Sequence, residues 1–309
     1  MSNVHQLILQ HGHSEARRLL PEGKQLIDMA AAVMAEDDPA LSFTYSGFCL
    51  TSFPHKKLGN SERWERHGHN VTLTIDPGSL PDADGVTRVH GVPYGSRARM
   101  IMLYLQTRAV QTNNPEVELG ASMRDWLGRM GISVGGKTLK EVRDQADRIA
   151  ACNLTFTWRT ERGSGFVKGN IVKGGFRLQD LEDHSEQPRL WVDTVRLSDD
   201  FFQALLDHPV PVNETALRQI ANNSAAIDLY TWLAYRLHAL SKPTPVTWAA
   251  MHQQFGAGYK LVRQFKAKFG AVLEAALAVY PEAVVTMDDR GVTLYPSPPP
   301  IRERVTAIR

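Results

Sequence analysis

The stretch from Gly131 to Val142 reads GISVGGKTLKEV, and its first eight residues satisfy G-x-x-x-x-G-K-[ST]. In a P-loop that spacing wraps backbone N–H groups around a phosphate, with the lysine and the hydroxyl completing a nucleotide–magnesium site. Such a loop must follow an apolar strand directly, so that its amides face the phosphates at a sheet edge. Here MRDWLGRM precedes it, helical in period and containing Gly128 and Arg129. A second, acidic strand for magnesium is also required. The only candidate, VVTMDD, lies more than a hundred residues away and ends at a hairpin turn. Thr138 and Glu141 instead spell a T-x-x-E capping box, a start signal for a helix. No nucleotide is therefore expected, and Lys137 becomes a cation placed just ahead of a helix.

Two histidine pairs offer other chemistry. His11-x-His13 and His67-x-His69 could mark a metal site, or the His-hydrophobe-His strand of a nickase that cuts DNA in rolling-circle processing. Both pairs hold glycine between the histidines and sit in loop-like context. Neither has the apolar middle residue that anchors such a strand, and no cysteine lies near to build a thiolate zinc site. No Asp/Glu pair or Ser/His arrangement shares a segment. Solvated loop histidines are the expectation, with no catalytic residue, metal or cofactor.

The elements that must position any site follow from periodicity. Residues 1–40 read as a leader and a helix in which Ala31, Ala32 and Met34 take part. FTYSGFCLTSFPHKK and NVTLTIDPG read as strands, the latter alternating Val71, Leu73 and Ile75 with polar residues. LGNSERWERHG and LPDADGVTRVHGVP read as loops. From Gly95 the period becomes helical, with Ala98, Met102, Leu105 and Ala109 on one face and a stop at Asn113-Asn114-Pro115. A short strand, VEL, follows. The next short helix has Met123, Trp126, Leu127 and Met130 on one face and Gly131 as its C-terminal stop. In the third helix Leu139, Val142, Ala146 and Ile149 form the apolar stripe. Lys140, Arg143, Asp144, Asp147 and Arg148 lie opposite. LTFTWRT, a turn at ERGSG, and FVKGNIVKGGFRL then form a hairpin. That order, helix–strand–helix–turn–helix–hairpin, is the order of a winged helix, whose third helix reads a DNA groove.

The order recurs. LSDDFFQALLDHP is a helical lead-in, and the segment from Glu214 to Lys242 holds one or two helices. VTWAAMHQQFG is a short helix ending at Gly256. The long helix after it turns Val262, Phe265, Phe269, Val272 and Leu273 inward. The hairpin VVTMDDRGVTLYP follows, with Gly291 at a turn position suited to positive φ. The fold expected is α+β and mainly helical, with two tandem winged-helix domains at 41–178 and 179–309 after an N-terminal segment 1–40. SPPPIRERVTAIR is an extended tail.

The distribution of charge suits a nucleic-acid partner and, equally, a solvated surface with counter-charges elsewhere. The net charge is +2. From Gly95 to Arg177, however, fourteen Lys and Arg stand against seven Asp and Glu, whereas Leu178 to Arg309 carries thirteen against fifteen. Lys137, Lys140, Arg143 and Arg148 would dock the first recognition helix on DNA. Arg159, Arg162, Lys168 and Lys173 would place charge on its wing. Lys260, Arg263, Lys266 and Lys268 would dock the second, whose near-neutral balance also suits subunit or host-protein contacts instead. Arginine and lysine grip phosphates, and arginine also forks onto guanine. Trp126, Trp232 and Trp248 sit on apolar faces and read as core. No long apolar run suits a membrane span. No signal peptide is read in the first residues, so Cys49 and Cys152 are expected as buried thiols in a cytoplasmic protein.

The stretches FCLTSFPHKK, GVPYGSRARMIMLYLQTRAV, LGASMRDWLGRMGISVGGKT, HPVPVNETALRQIANNSAAIDLYTWLAYRLHAL, TPVTWAAMHQQFG and VTLYPSPPPI resemble the plasmid-encoded RepA-type replication initiators over roughly residues 40–300. The resemblance implies a protein that binds repeated double-stranded sites at a plasmid origin, opens or marks the origin, and attracts host replication proteins including the replicative helicase. It also implies homodimers that repress their own gene and monomers that start replication. A plain transcriptional repressor of the same build and a rolling-circle nickase are the alternatives.

Overall fold

The computed structural model describes residues 3–81, 85–160, 163–173 and 194–301. The chain forms two compact units: a central one, Thr44–Pro209, and a terminal one made of Met1–Phe43 together with Val210–Arg309. This division differs from the three consecutive segments expected from sequence. The N-terminal segment does not stand apart, because its helices share a core with the last long helix of the chain.

In chain order, α1 (Asn3–Leu19) and α2 (Lys24–Met34) are joined by a 3-10 turn, and β1 (Leu41–Tyr45) leads into the central unit. There follow α3 (Ser46–Leu50), β2 (Trp64–His67), β3 (Val71–Asp76), β4 (Gly78–Pro81), β5 (Thr87–His90), α4 (Gly95–Thr112), β6 (Glu116–Glu118), α5 (Met123–Arg129) and α6 (Gly136–Ala151). Next come β7 (Asn153–Thr160), β8 (Gly163–Asn170), β9 (Thr194–Arg196) and α7 (Asp199–Asp207). β10 (Pro209–Asn213) leads back to the terminal unit, with α8 (Glu214–Gln219), α9 (Ser224–Leu237), β11 (Thr244–Thr247), α10 (Trp248–Phe255), α11 (Val262–Ala278), β12 (Val285–Met287) and β13 (Gly291–Leu294). The class is mixed helix and strand. The segments read as loops contain β2, β5 and the end of β4. The segment FTYSGFCL, read as strand, is strand only to Tyr45 and then turns helical.

The central unit is organised around α4 and a four-stranded antiparallel sheet in the order β2-β3-β7-β8. Leu73, Ile75, Leu154 and Phe156 alternate onto its buried face. Phe156 meets Tyr45 and Phe48 edge-on at 5.1 and 5.3 Å, the preferred geometry for aromatic rings. The α7 residue Phe201 joins the same cluster. α5 buries Met123, Trp126, Leu127 and Met130, the face its spacing predicts. It starts on Ser122, whose side chain accepts the Asp125 N–H. It stops at Gly131, at φ 67, where Gly131 N–H bonds Gly128 O and Ile132 N–H bonds Leu127 O. This is the paired closure of a Schellman motif, and it requires the left-handed residue. α6 starts earlier than its capping box suggests. Gly135 is the N-cap and its carbonyl already accepts the Leu139 N–H at 2.9 Å, so Thr138 lies inside the first turn.

In the terminal unit Val4, Ala16, Ile27, Ala30 and Ala278 form one apolar cluster. The buried His5 ring donates from Nε2 to the Ala278 carbonyl at 2.9 Å, tying α1 to the end of α11. β11, β13 and β12 form an antiparallel sheet in that spatial order. Gly291 pairs with Thr247. It is not among the positive-φ glycines, contrary to expectation. A Cβ there would lie 2.0 Å from the Val246 carbonyl oxygen, so close strand approach is what demands glycine. Phe265, Phe269 and Leu273 face inward as expected, whereas Val262, in the first turn of α11, is exposed.

Candidate nucleic-acid interface

Two pairs of successive helices, α5–α6 and α10–α11, one in each unit, carry the predicted helix cations. In the central unit the tight stop at Gly131 and the start at Gly136 set the bend between α5 and α6. Burial of Val142, Ala146 and Ile149 fixes the rotation of α6. That rotation leaves Lys137 and Lys140 exposed at its N-terminal end. The Lys137 side chain is 92% exposed, and its ammonium lies only 4.0 Å from Glu141, too loose a pair to hold it. A helix N-terminus adds unsatisfied N–H groups and a positive partial charge, which favours a phosphate. The element ahead of this bend is a helix, so no P-loop sheet edge exists at Lys137.

Arg148 does not belong to that surface. It is 3% exposed. Its Nε donates to Asp144 Oδ2 at 2.9 Å, Nη1 reaches the Val92 carbonyl, and Nη2 reaches Asn60 Oδ1, each at 3.4 Å. The guanidinium also stacks 5.2 Å from the centre of the Tyr94 ring. One turn away in space, Gln145 accepts the Tyr94 N–H at 2.7 Å. Burial and the nearby Asp144 carboxylate raise the Tyr94 phenol above its ordinary value. Together these groups clamp α6 to the entrance of α4. A β-carbon at Gly91 would sit 2.6 Å from Arg148 Nη1, so the clamp needs glycine there. Arg143 is half-buried.

The hairpin β7–β8 carries Arg159 and Lys168, both exposed. Arg162 lies outside the described residues. Lys173, read as a wing cation, is paired to Asp199 at 2.9 Å, and Arg196 shares that carboxylate at 3.0 Å. The two cations, Lys173 first, hold Asp199 below the usual carboxylate range. Its charge is thus spent on the start of α7. Sequence reasoning missed Phe166, which is 69% exposed between these cations. The two-residue alternation put it on the same face as Lys168, but only the β7–β8 register shows which face is open.

In the terminal unit α10 is capped by Thr247 and ends at Gly256, and Trp248 packs inward against Phe265 and Phe269. Lys260 is exposed in the turn before α11, outside the helix, while Arg263 and Lys268 are exposed on it. Lys266 behaves differently. It bonds Asp289 in the β12–β13 turn at 2.8 Å and lies 5.3 Å over the Trp248 ring. The ion pair holds the Asp289 carboxyl low. Lys266 ties the hairpin to α11.

The basic excess belongs to a segment and not to a unit. Across Thr44–Pro209 the sequence has 21 Lys and Arg against 20 Asp and Glu, because 178–209 is strongly acidic. What remains is local: cations at the N-terminal ends of α6 and α11, and on β7–β8. His11 and His13 flank a break in α1 at Gly12, not a loop, and His13 bonds Asp28 at 2.7 Å. His67 lies in β2 and bonds Thr72. Among the described residues no cluster of His, Cys, Asp and Glu could hold a metal ion. No described helix is long and apolar enough to cross a membrane. Cys49 and Cys152 are buried and form no disulfide with each other, and burial pushes the Cys152 thiol up to about 12.

The family model described as plasmid-encoded RepA protein matches residues 92–249, just over half of the chain. The matched span covers α4 to α6, the β7–β8 hairpin and the chain as far as the start of α10. No curated protein matches. Among solved structures, crystals of domains 2 and 3 of RctB are similar at 13% identity, covering 86% of this chain and 97% of that one, with a TM-score of 0.49. A second structure of RctB domains 2–3 is similar at 13% identity, covering 78% and 91%, with a TM-score of 0.46.

Proposed function

The chain belongs to the family of plasmid-encoded RepA proteins, and we propose that it is a plasmid replication initiator that binds double-stranded origin repeats through two winged-helix units. The observation that carries this reading is the recurrence of one arrangement. A short helix with a buried tryptophan, α5 or α10, is followed by a turn and a long helix, α6 or α11. That helix leaves cations exposed at its N-terminal end, and a hairpin follows it. In the terminal unit the spatial order β11-β13-β12 supports a winged helix; in the central unit β6 pairs with β9, and the hairpin joins β2 and β3 instead. Lys137 and Lys140 would hold phosphates for the first unit, and Lys260, Arg263 and Lys268 for the second. Arg143 would act from its half-buried position, and Arg159 and Lys168 would contact the backbone beside the groove.

The action is binding, with no covalent chemistry. Host replication proteins, the replicative helicase among them, would then be drawn to the marked origin in the cytoplasm, with a homodimer serving repression. The test is a replicon that lacks any other initiator, carried with the DNA flanking this gene. Replication supported by the wild type and lost with Lys137→Ala plus Lys140→Ala is expected. A protein that protects that DNA from cleavage but supports no replication is a transcriptional repressor. A covalent adduct with supercoiled origin DNA in divalent metal would make it a nickase.

A further inference from the structure

The four-stranded sheet of the central unit has one face buried and one open. The open face is read from the register. Thr157 pairs with Phe166 and Thr72, and Thr155 pairs with Lys168 and Thr74, so all six side chains share a side. Arg159 and Ser164, paired next along the hairpin, extend it. Phe166 is 69% exposed, more than any other large apolar side chain described. Its neighbours Leu154, Phe156, Val167 and Gly169 line the opposite, covered face. The hairpin keeps its aromatic rings apart: Trp158 lies across Gly165, where a β-carbon would be 2.6 Å from the indole. Nothing in that packing uses Phe166.

The charge of this face is also specific. Among the described residues its carboxylates lie on the far strands and are engaged: Asp76 by Arg63 at 2.5 Å, and Glu65 by His67 at 2.9 Å. Arg159 and Lys168 flank Phe166 without an ion-pair partner among the described residues. An exposed ring between two cations, on a sheet lined with hydroxyls, suits one class of partner. A base stacks on the ring, the phosphates on either side meet the cations, and the hydroxyls add hydrogen bonds. A duplex cannot use the ring this way, because its bases are already stacked on each other. We propose that the open face of the β2-β3-β7-β8 sheet binds single-stranded DNA, with Phe166 as the stacking residue and Arg159 and Lys168 as phosphate contacts. An origin-binding protein that holds a separated strand here would favour the melted state of the DNA it marks.

The experiment measures binding of a fluorescein-labelled oligothymidine of about 20 nucleotides, and separately of duplex DNA flanking the gene, by anisotropy. Phe166→Ala is expected to lower oligothymidine affinity on the order of tenfold, with Phe166→Tyr retaining it, while duplex affinity stays unchanged. Phe166 is 69% exposed, so the alanine variant is expected to keep the fold, which circular dichroism checks. A wild type that binds oligothymidine but no duplex keeps this proposal and sinks the duplex reading. Three results would overturn the proposal. They are a wild type that does not bind oligothymidine, an equal loss on duplex, which makes Phe166 a wedge of the wing, and a Phe166→Ala shift in oligomeric state, which makes the face a contact between copies.

Discussion

Arg148→Met separates the scaffold of the first recognition helix from its DNA surface. Methionine keeps the unbranched stem, so the change removes the charge and its bonds with little loss of packing. The bond from Nε to Asp144 is short and charge-assisted, worth roughly 1.5–3 kcal/mol net. Stacking on Tyr94 adds about 0.5–1 kcal/mol. The two contacts at 3.4 Å, to Val92 and Asn60, are too long to add much. Removing one partner of a wholly buried pair strands the other charge at a cost of several kcal/mol. Here the Asp144 side chain is 38% exposed and is rehydrated, so that penalty is largely absent. The net loss expected is about 2–3 kcal/mol, since bonded neighbours are not fully additive. Urea unfolding reads it as a lower midpoint at unchanged slope. Below the transition, duplex affinity of the variant should match the wild type. An unchanged midpoint together with a clear loss of duplex affinity would refute the clamp and return Arg148 to the interface.

Other perturbations follow from the same geometry. Gly291→Ala places a β-carbon 2.0 Å from Val246 O and 2.9 Å from Thr247 Cα, both backbone atoms. A loss of about 3 kcal/mol in urea unfolding is expected, and a neutral result would show that β11 and β13 can separate freely. Burial lowers the His5 pKa below 6.5. The unfolded chain then binds the proton first, so this contribution is complete above pH 6.5 and is lost as pH falls through the folded value. His5→Gln should therefore flatten the decline in stability as pH falls below 6.5; an identical decline would remove His5 from it.

Periodicity was sufficient where an element's contacts are local. α4, α5, α10 and α11 appear where apolar spacing puts them, and Gly131 and Asn113 end their helices through left-handed conformations that few residues adopt. The short strands β2, β4 and β5 were illegible because alternation over four residues is too brief to read, and their pairing supplies what local pattern does not. The union of residues 1–43 with 210–309 rests on contacts such as His5 to Ala278, which leave no trace in nearby sequence.

The exposure of the candidate cations was legible only in part. Lys137, Lys140, Arg159, Lys168, Lys260, Arg263 and Lys268 are exposed as expected. Arg148, Lys173 and Lys266 have the same chemistry but are held by Asp144, Asp199 and Asp289. Their partners lie on the same helix, on another helix and in a hairpin turn. Helical phase puts Arg148 off the apolar stripe, and it is buried only because Asn60 and residues 92–94 pass over that side.

The central claim is that the N-terminal end of α6 holds DNA phosphates. It is tested most directly by duplex affinity for the DNA flanking the gene, measured across a salt series for the wild type and for Lys137→Ala plus Lys140→Ala. Each phosphate contact contributes about 0.9 to the slope of log affinity against log salt. The double variant is therefore expected to bind more weakly at every salt concentration, with a slope shallower by about two. Unchanged affinity and unchanged slope would contradict the account.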